Sequence, residues 1–249
     1  MGRLFYVAPE EADKGEVLLD EGESRHALSV LRLKKGEGLK LFDGKGHVFH
    51  GEALGVKEKR LWVRIRSRSE NPPSSASAAV TLAASVVKPE RMDFLIQKSC
   101  ELGVGSIEPL LTERTVVRLS RERWEAKLRH WQGIAMEACK QCGLSVIPEI
   151  RPARDYDVFL ASVSPYPLIL IPTLAVKGRS LYEAIKGSKP DKVLCLIGPE
   201  GDFTKREADL AVSHGAVPVS LGPLVMRSET AAVYLVSALS FYYREVRGR

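Results

Sequence analysis

The chain has 249 residues, of which 45% are hydrophobic and 27% charged, and it contains no run of 18 apolar residues. This balance is typical of a soluble globular protein and excludes an apolar membrane-spanning helix, and the N-terminus lacks the features of a secretory signal. We therefore expect a cytoplasmic protein. The net charge of +6 fits an anionic partner such as RNA, although its even spread along the chain makes it a weak indicator.

A segment rich in proline and small polar residues divides the chain. Residues 71–78 read NPPSSASA. Two prolines prevent a helix there, and the small side chains offer little apolar surface to bury. We therefore predict one domain over residues 1–72 and a second over residues 73–249.

Short strands separated by turns are predicted in the first domain. Residues 39–42 and 47–54 flank the sequence DGKG, a pattern that indicates a β-hairpin. A short helix is predicted around residues 24–32. Together with a further strand over residues 60–68, these elements indicate a small β-barrel.

The strand predicted over residues 60–68 has two different faces. Apolar Leu61, Val63 and Ile65 alternate with a face made by Arg60, Trp62, Arg64, Arg66 and Arg68. The pattern favours a solvated outer face on which Trp62 covers the arginine stems. The alternative is a nucleic-acid surface, where arginine pairs with phosphates and Trp62 stacks on a base.

Helices and strands alternate in the second domain. Strands are predicted over residues 79–87, 107–111, 168–172, 192–198 and 216–222, and helices over residues 89–102, 121–142 and 228–244. This order indicates an α/β fold with a mostly parallel sheet. The long helix has an apolar stripe formed by Trp124, Leu128, Trp131, Ala135, Ala138 and Cys142, and we predict that its aromatic side chains are core residues rather than part of a ligand site. The Cys139–Cys142 spacing is interpreted as packing rather than as a zinc or redox site, and no metal is expected.

Three turns that contain glycine or proline follow three of the predicted strands, at residues 172–174, 198–201 and 221–224. Ligands of open α/β sheets bind beyond the carboxyl ends of the strands, and glycine lets the backbone approach a ligand closely. The turns indicate either chain reversal alone or a shared ligand cleft. Because G-x-G-x-x-G and the P-loop motif are absent, an ordinary dinucleotide or nucleoside-triphosphate site is disfavoured.

Two motifs near the C-terminus read IGPEGDFTKREADLA over residues 197–211 and SLGPLVMRSETAAVYLVSAL over residues 220–239. Together with KPERMDFLIQKSCELGV at 88–104, they resemble the catalytic domain of the RsmE-type small-subunit rRNA (uridine-N3)-methyltransferases of the SPOUT superfamily. The central segments MEACKQCG and IPEI, and RHALSVLRLKKGE and LFDGKGHVFHGE near the N-terminus, also resemble that family. The resemblance covers nearly the whole chain in order.

The resemblance implies a PUA-like β-barrel followed by a knotted SPOUT methyltransferase domain with a C-terminal trefoil knot. It also implies a homodimer and transfer of a methyl group from S-adenosyl-L-methionine to N3 of a specific uridine in small-subunit (16S) ribosomal RNA. The alternatives are a knotted methyltransferase that acts on another RNA position, a non-catalytic RNA-binding protein, or an enzyme that uses an adenine cofactor on another substrate.

The resemblance also implies site residues. The predicted cofactor contacts are Thr173, Leu174, Ile197, Gly198, Pro199, Glu200, Gly201, Ser220, Leu221, Gly222, Leu224, Met226 and Arg227. Arg227 cannot act as a base because a guanidinium stays protonated, so it is assigned to charge stabilisation or to a phosphate. Glu229 is the first candidate for the base or its orienter and Glu200 the second; alternatively, Glu229 only favours the N-terminus of the last helix. The predicted RNA contacts are Arg25, Arg32, Arg60, Arg64 and Arg66.

Three positions depart from the family pattern. Ser228 replaces a threonine and keeps its hydroxyl group. Asp202 stands where a second glycine is common after GPEG, so that loop is expected to differ. Leu144 stands where an arginine is common, which removes one expected RNA or partner contact.

Overall fold

The protein is described by a computed structural model that covers residues 4–70, 80–117, 119–163, 166–188 and 190–243. The chain forms two compact units. The first contains residues 1–73 together with 136–147, and the second contains residues 74–135 and 148–249. The linker predicted over residues 71–78 lies outside the described residues, as does residue 244 at the predicted end of the last helix.

The described part of the first unit is built on a sheet with the strand order β1-β3-β4-β5-β2. Its strands are β1 Leu4–Tyr6, β2 Glu16–Leu18, β3 Gly38–Phe42, β4 His47–Lys57 and β5 Arg60–Glu70, and its helices are α1 Pro9–Ala12 and α2 Glu21–Arg25. Strand β1 runs parallel to β3, and the other neighbours are antiparallel. The predicted hairpin is therefore present as β3 and β4, and α2 continues into a π-helical turn at His26–Val30.

The core of this unit follows the alternation in the sequence. Leu61 and Val63 are fully buried with Phe5 and Leu41, while Ile65 packs at the edge of the same cluster. The side chains between them point to the opposite face of the strand. The two faces of β5 thus differ as the sequence indicates.

Residues 136–147 pack in the first unit, although the sequence placed them in the second domain. Lys140 donates to Glu23 over 2.7 Å, and both side chains are largely buried. Burial raises the pKa of Glu23, and the hydrogen bond from Lys140 opposes that rise. The amide of Ile147 donates to the carbonyl of Gly44. Gly44 has a φ of +73°, and a side chain at this position would clash with that of Ile147. These contacts join residues that are more than 100 positions apart in the chain, so no local sequence pattern predicts them.

The second unit contains a parallel sheet in the order β11-β13-β10-β12-β6-β7-β8, with β9 beside β7. The strands are β6 Val80–Ser85, β7 Ser106–Leu111, β8 Glu149–Ile150, β9 Arg154–Asp155, β10 Leu168–Pro172, β11 Arg179–Ser180, β12 Val193–Ile197 and β13 Ala216–Ser220. The helices are α3 Pro89–Glu101, α4 Arg121–Cys142, α5 Tyr156–Ala161, α6 Leu181–Ile185, α7 Lys205–Ser213 and α8 Ser228–Phe241. Helix α4 is shared, because its residues from Met136 onward belong to the first unit. All pairings among the described strands of this sheet are parallel, which confirms the predicted fold class.

The stripe predicted on the long helix is only partly buried. Trp131, Ala135 and Ala138 are core residues, which confirms the core prediction for Trp131, whereas Trp124 is only half-buried and Cys142 is exposed. Cys142 is the last residue of α4, and Cys139 lies on the inward side instead. Burial raises the pKa of the Cys139 thiol to about 12, which keeps it protonated and inert at neutral pH.

Strand order places three carboxyl ends together. Strands β13, β10 and β12 are neighbours in the middle of the sheet and run in the same direction. The segments that follow them therefore emerge at one edge, although the strand ends at residues 172, 197 and 220 are distant from one another in the chain. Within the described residues, no helix combines the length and apolar character needed to cross a bilayer.

Candidate active site

A cleft of about 650 Å³ opens at this edge of the sheet. Its walls are the segments after β10, β12 and β13 and the first turn of α8. Twelve of the predicted cofactor contacts line it: Thr173, Leu174, Ile197, Gly198, Pro199, Glu200, Gly201, Ser220, Leu221, Gly222, Leu224 and Met226. The three turns therefore line one shared cleft, which is one of the two alternatives that the sequence indicated. The cofactor contacts themselves stay predictions.

The loop after β12 is tightly turned. The amide of Asp202 donates to the carbonyl of Pro199, which closes a turn over the sequence PEGD. A Cβ atom on Gly198 would lie 3.0 Å from the amide nitrogen of Phe203, so only glycine leaves this backbone undisturbed. Arg114 donates to the carbonyl of Gly201 from the segment after β7. The glycine of this motif is therefore required by a close approach of backbone to backbone.

Asp202 connects this loop to the loop after β10. Its carboxylate accepts hydrogen bonds from the Thr173 hydroxyl (2.9 Å), the Leu174 amide (2.6 Å) and the Phe203 amide (2.7 Å). Its φ is +62°, a region that aspartate tolerates better than most residues. The departure from the family pattern at this position thus becomes a fixed part of the cleft wall.

The helix that follows, α7, is held by a capping box. The side chain of Thr204 accepts from the amide of Glu207, and Glu207 accepts in return from the amide of Thr204. The Glu207 carboxylate is fully buried and also accepts from the amide of Glu113, while Tyr156 donates to its backbone carbonyl. These contacts fix the sequence FTKRE, and with it the end of the cleft loop.

The loop after β13 forms the mouth of the cleft. Gly222 has a φ of +124°, which only glycine adopts readily. Leu224 and Val225 are 77% and 79% exposed, as large apolar side chains seldom are. Leu174, on the loop after β10, is exposed as well. The cleft therefore has an apolar rim.

Arg91, on α3, lies between the two carboxylates that the sequence proposed as bases. Its guanidinium is 3.1 Å from Glu200 and 3.9 Å from Glu229. The Glu200 side chain is 34% exposed and lines the cleft, whereas that of Glu229 is 12% exposed and does not. One carboxylate oxygen of Glu229 is buried and has no hydrogen-bond partner among the described residues. Sequence reasoning missed Arg91 because nothing in the local pattern links it to residues more than 100 positions away.

Arg227 immediately precedes α8 and is exposed. It is the one predicted cofactor contact that is not part of the cleft lining, although Ser228 next to it is. Among the described residues, no hydrogen bond or ion pair engages its guanidinium. Arg227 is therefore available to a group that enters from solvent.

The basic face of β5 is largely occupied by local partners. Arg60 donates to the backbone carbonyls of Leu18 and Leu19. Ion pairs join Arg64 to Glu16 (2.9 Å), Arg66 to Glu52 (2.5 Å) and Arg68 to Asp13 (3.6 Å). The hydrogen bond from Arg66 lowers the pKa of Glu52, which keeps this pair charged. Arg25 and Arg32, by contrast, are exposed and unpaired within the described part of the unit.

Within the described ranges, no group of three or more His, Cys, Asp or Glu side chains is arranged to hold a metal ion.

Comparison with protein families gives two matches. Residues 74–240 match a model described as an RNA methyltransferase domain, and residues 19–66 match an RNA methyltransferase PUA domain. The PUA match lies in the first unit, and the RNA methyltransferase match covers most of the second unit together with residues 136–147 of the first.

Curated and solved relatives span nearly the whole chain. A ribosomal RNA small subunit methyltransferase E from Synechocystis is 31% identical over 96% of this chain and 78% of its own length. A methyltransferase structure from Legionella pneumophila in complex with the cofactor SAM is 36% identical, covers 96% of this chain and 97% of its own, and has a TM-score of 0.86. The structure of a ribosomal RNA small subunit methyltransferase E from Neisseria gonorrhoeae, bound to S-adenosyl methionine, is 29% identical to this chain. It covers 96% of this chain and 97% of its own, with a TM-score of 0.83.

Proposed function

Since the chain belongs to the RNA methyltransferase family that includes ribosomal RNA small subunit methyltransferase E, we propose that it methylates N3 of a uridine in small-subunit ribosomal RNA with S-adenosylmethionine. The observation that carries this proposal is the single cleft formed by the loops after β10, β12 and β13. Those loops contain the two motifs, GPEG and LGPLVMRSETA, that resemble the family.

The cleft fits the cofactor in size and chemistry. A volume of about 650 Å³ lies within the range of small-molecule sites, which are mostly apolar with a few polar groups. Ile197, Leu224 and Met226 would enclose the adenine ring, and the backbone groups of the loops would bind its polar edge. When bound, the cofactor supplies a methyl group on a positively charged sulfur.

Uridine N3 carries a proton and becomes a good nucleophile only when that proton is removed. We assign this step to Glu200, because its carboxylate lines the cleft and is partly exposed. Glu229 is more deeply buried, so its role is to hold Arg91, whose guanidinium also contacts Glu200. Arg227 is exposed beside the cleft and would stabilise the negative charge that develops on a uracil oxygen.

The RNA would be held mainly by charge. Arg25 and Arg32 have no competing partner in the described residues and are the strongest candidates for phosphate contacts. Arg64 and Arg66 would have to exchange Glu16 and Glu52 for phosphates, and Arg60 has two donors committed to backbone carbonyls. The target base would leave the stack to reach the cleft, as in other enzymes that modify bases.

We also propose that the chain is a homodimer and that its C-terminal segment forms the trefoil knot. The apolar rim at Leu174, Leu224 and Val225 supports a second copy at the mouth of the cleft, because isolated proteins rarely expose such a patch. Analytical ultracentrifugation of the purified chain at micromolar concentration should give twice the monomer mass. A monomer at every concentration would contradict the dimer.

The function is tested by product analysis. Purified protein is incubated with isotopically labelled S-adenosylmethionine and small subunits, or naked 16S rRNA, from cells that lack the modification. Digestion to nucleosides and mass spectrometry should give labelled 3-methyluridine with the wild type and very little with Arg227→Ala. A different methylated nucleoside would contradict the position, and RNA binding without methylation would indicate a non-catalytic RNA-binding protein.

A further inference from the structure

Asp202 places a fixed negative charge on the wall of the cleft. Three donors hold its carboxylate, namely the Thr173 hydroxyl and the amides of Leu174 and Phe203. These donors belong to two different loops that line the cleft. Because both carboxylate oxygens are engaged, the charge cannot swing away into solvent.

The other charges of the cleft do not cancel that of Asp202. The charged side chains in its lining are Lys177, Glu200 and Asp202. Glu200 is paired with Arg91, and Lys177 is exposed to water, which screens its charge. No cation lies within ion-pair distance of Asp202 in the described part of the chain. The carboxylate of Asp202 is thus the unneutralised charge of the wall.

The two forms of the proposed cofactor differ by one positive charge. S-adenosylmethionine carries a sulfonium and has a net charge of +1 at neutral pH, whereas the product S-adenosylhomocysteine is a thioether with no net charge. Asp202 lines the same cleft of about 650 Å³ that would hold the cofactor, so a bound sulfonium would lie on the order of 10 Å from its carboxylate. At such a separation, partly shielded from water, one charge pair changes affinity by roughly three- to tenfold.

We propose that Asp202 is a specificity-determining residue that makes the cleft bind the charged methyl donor more tightly than the uncharged product. The inference rests on the proposed function, because it takes S-adenosylmethionine as the cofactor. Its physical basis is separate from the loop contacts, since hydrogen bonds to the loops act on both ligands while the charge acts on one.

The proposal is tested by calorimetric titration of the full chain with three ligands. These are S-adenosylmethionine, S-adenosylhomocysteine and sinefungin, an analogue that carries an ammonium group in place of the sulfonium. Asp202→Asn removes the charge, keeps an acceptor and tolerates the φ of +62°. Asp202→Gly removes both charge and acceptor. Asp209→Asn, on the exposed side of α7, is the matched control.

Asparagine has one acceptor oxygen where Asp202 has two, so Asp202→Asn should weaken all three ligands through the loop contacts. The loss of the charge should lower affinity for S-adenosylmethionine and sinefungin roughly three- to tenfold more than affinity for S-adenosylhomocysteine. Asp202→Gly should weaken all three and show the same loss of preference for the charged ligands. Asp209→Asn should match the wild type. In the wild type, the preference should also decrease as salt is raised from 50 to 500 mM.

An equal change for all three ligands in Asp202→Asn would overturn the proposal and leave Asp202 as a loop tether. Because every ligand is measured on the same variant, partial misfolding would also change them equally and could not imitate the expected result. If the wild type bound none of the three, the proposed function would fail and the inference with it. Normal binding with an unchanged ratio would reject the inference alone.

Discussion

The arginine-bearing strand of the first unit and the cleft of the second unit use charge in opposite ways. On β5, Arg64 and Arg66 are paired with glutamates of neighbouring strands, and Arg60 is bound to backbone carbonyls. In the cleft, most of the lining is backbone, glycine and apolar side chains. Of its few charged side chains, Glu200 is paired with Arg91, whereas Asp202 has no ion-pair partner among the described residues. The strand that is richest in arginine is therefore not the place where an unpaired charge is available to a ligand.

This difference shows what a linear pattern can report. Alternation on β5 correctly gives the two faces of the strand, but the partners Glu16 and Glu52 come from other strands and neutralise the arginines. Arg25 and Arg32 look unremarkable in the sequence and are left unpaired in the described structure. Available charge is a property of the fold, whereas total charge is a property of the sequence.

The largest effect is expected from a change at Arg227, the exposed arginine beside the cleft. Arg227→Ala should lower kcat about 100- to 1000-fold, as removal of one donor to a developing negative charge does. S-adenosylmethionine affinity should change less than twofold, because Arg227 is outside the cleft lining. Single-turnover methylation and calorimetry would separate the two effects, with exposed Arg179→Ala as the control. Full activity would remove the proposed role.

The backbone of the cleft should be the next most sensitive place. Gly198→Val places side-chain atoms against the Phe203 amide and should reduce S-adenosylmethionine affinity about 100-fold, with RNA binding retained. Gly133→Ala is the control, because nothing lies within 4 Å of the added atom in helix α4. Calorimetric titration measures the loss, and thermal unfolding monitors stability. Unchanged affinity would place the cofactor elsewhere.

The first unit should respond in stability rather than in cofactor binding. Asp43 accepts from the amides of Lys45 and His47 and from the His47 ring. Desolvation alone would raise the pKa of Asp43, but these hydrogen bonds outweigh it and lower the pKa. Asp43→Asn should cost about 1–3 kcal/mol of unfolding free energy at pH 7 and leave S-adenosylmethionine affinity unchanged.

The pH dependence of that loss has a definite sign. Because the folded pKa is below the unfolded value of 3.8, the stabilisation by Asp43 is present above pH 3.8 and disappears as the pH falls through the folded value. Urea unfolding of wild type and variant should therefore converge at low pH. A difference that stays constant down to pH 2 would show that the carboxylate charge is not the cause.

The smallest expected effect compares free and paired arginines directly. Arg25→Ala with Arg32→Asn should weaken RNA binding about tenfold and flatten its salt dependence by roughly two charges. Asparagine is chosen because Arg32 has a φ of +53°. Arg64→Gln with Arg66→Gln should weaken binding only about threefold, since these side chains already have partners. Fluorescence anisotropy at several salt concentrations gives both values, and the reverse order would contradict the account.

Much of the second unit could be predicted from the sequence. Continuous apolar runs identified β6, β10 and β12 as strands buried on both faces, and the turns after β10, β12 and β13 marked the cleft. The positions of Arg91 and Asp202 could not be predicted. Each gains its role through contacts with loops or helices that are distant in the chain, which no local periodicity encodes.

The most direct test of the cleft as the cofactor site is hydrogen–deuterium exchange with and without saturating S-adenosylmethionine. We expect slower amide exchange in residues 173–178, 198–203 and 220–226, with no change in residues 38–57. Protection confined to the first unit, or no protection in the three loops at saturation, would contradict the cleft as the cofactor site.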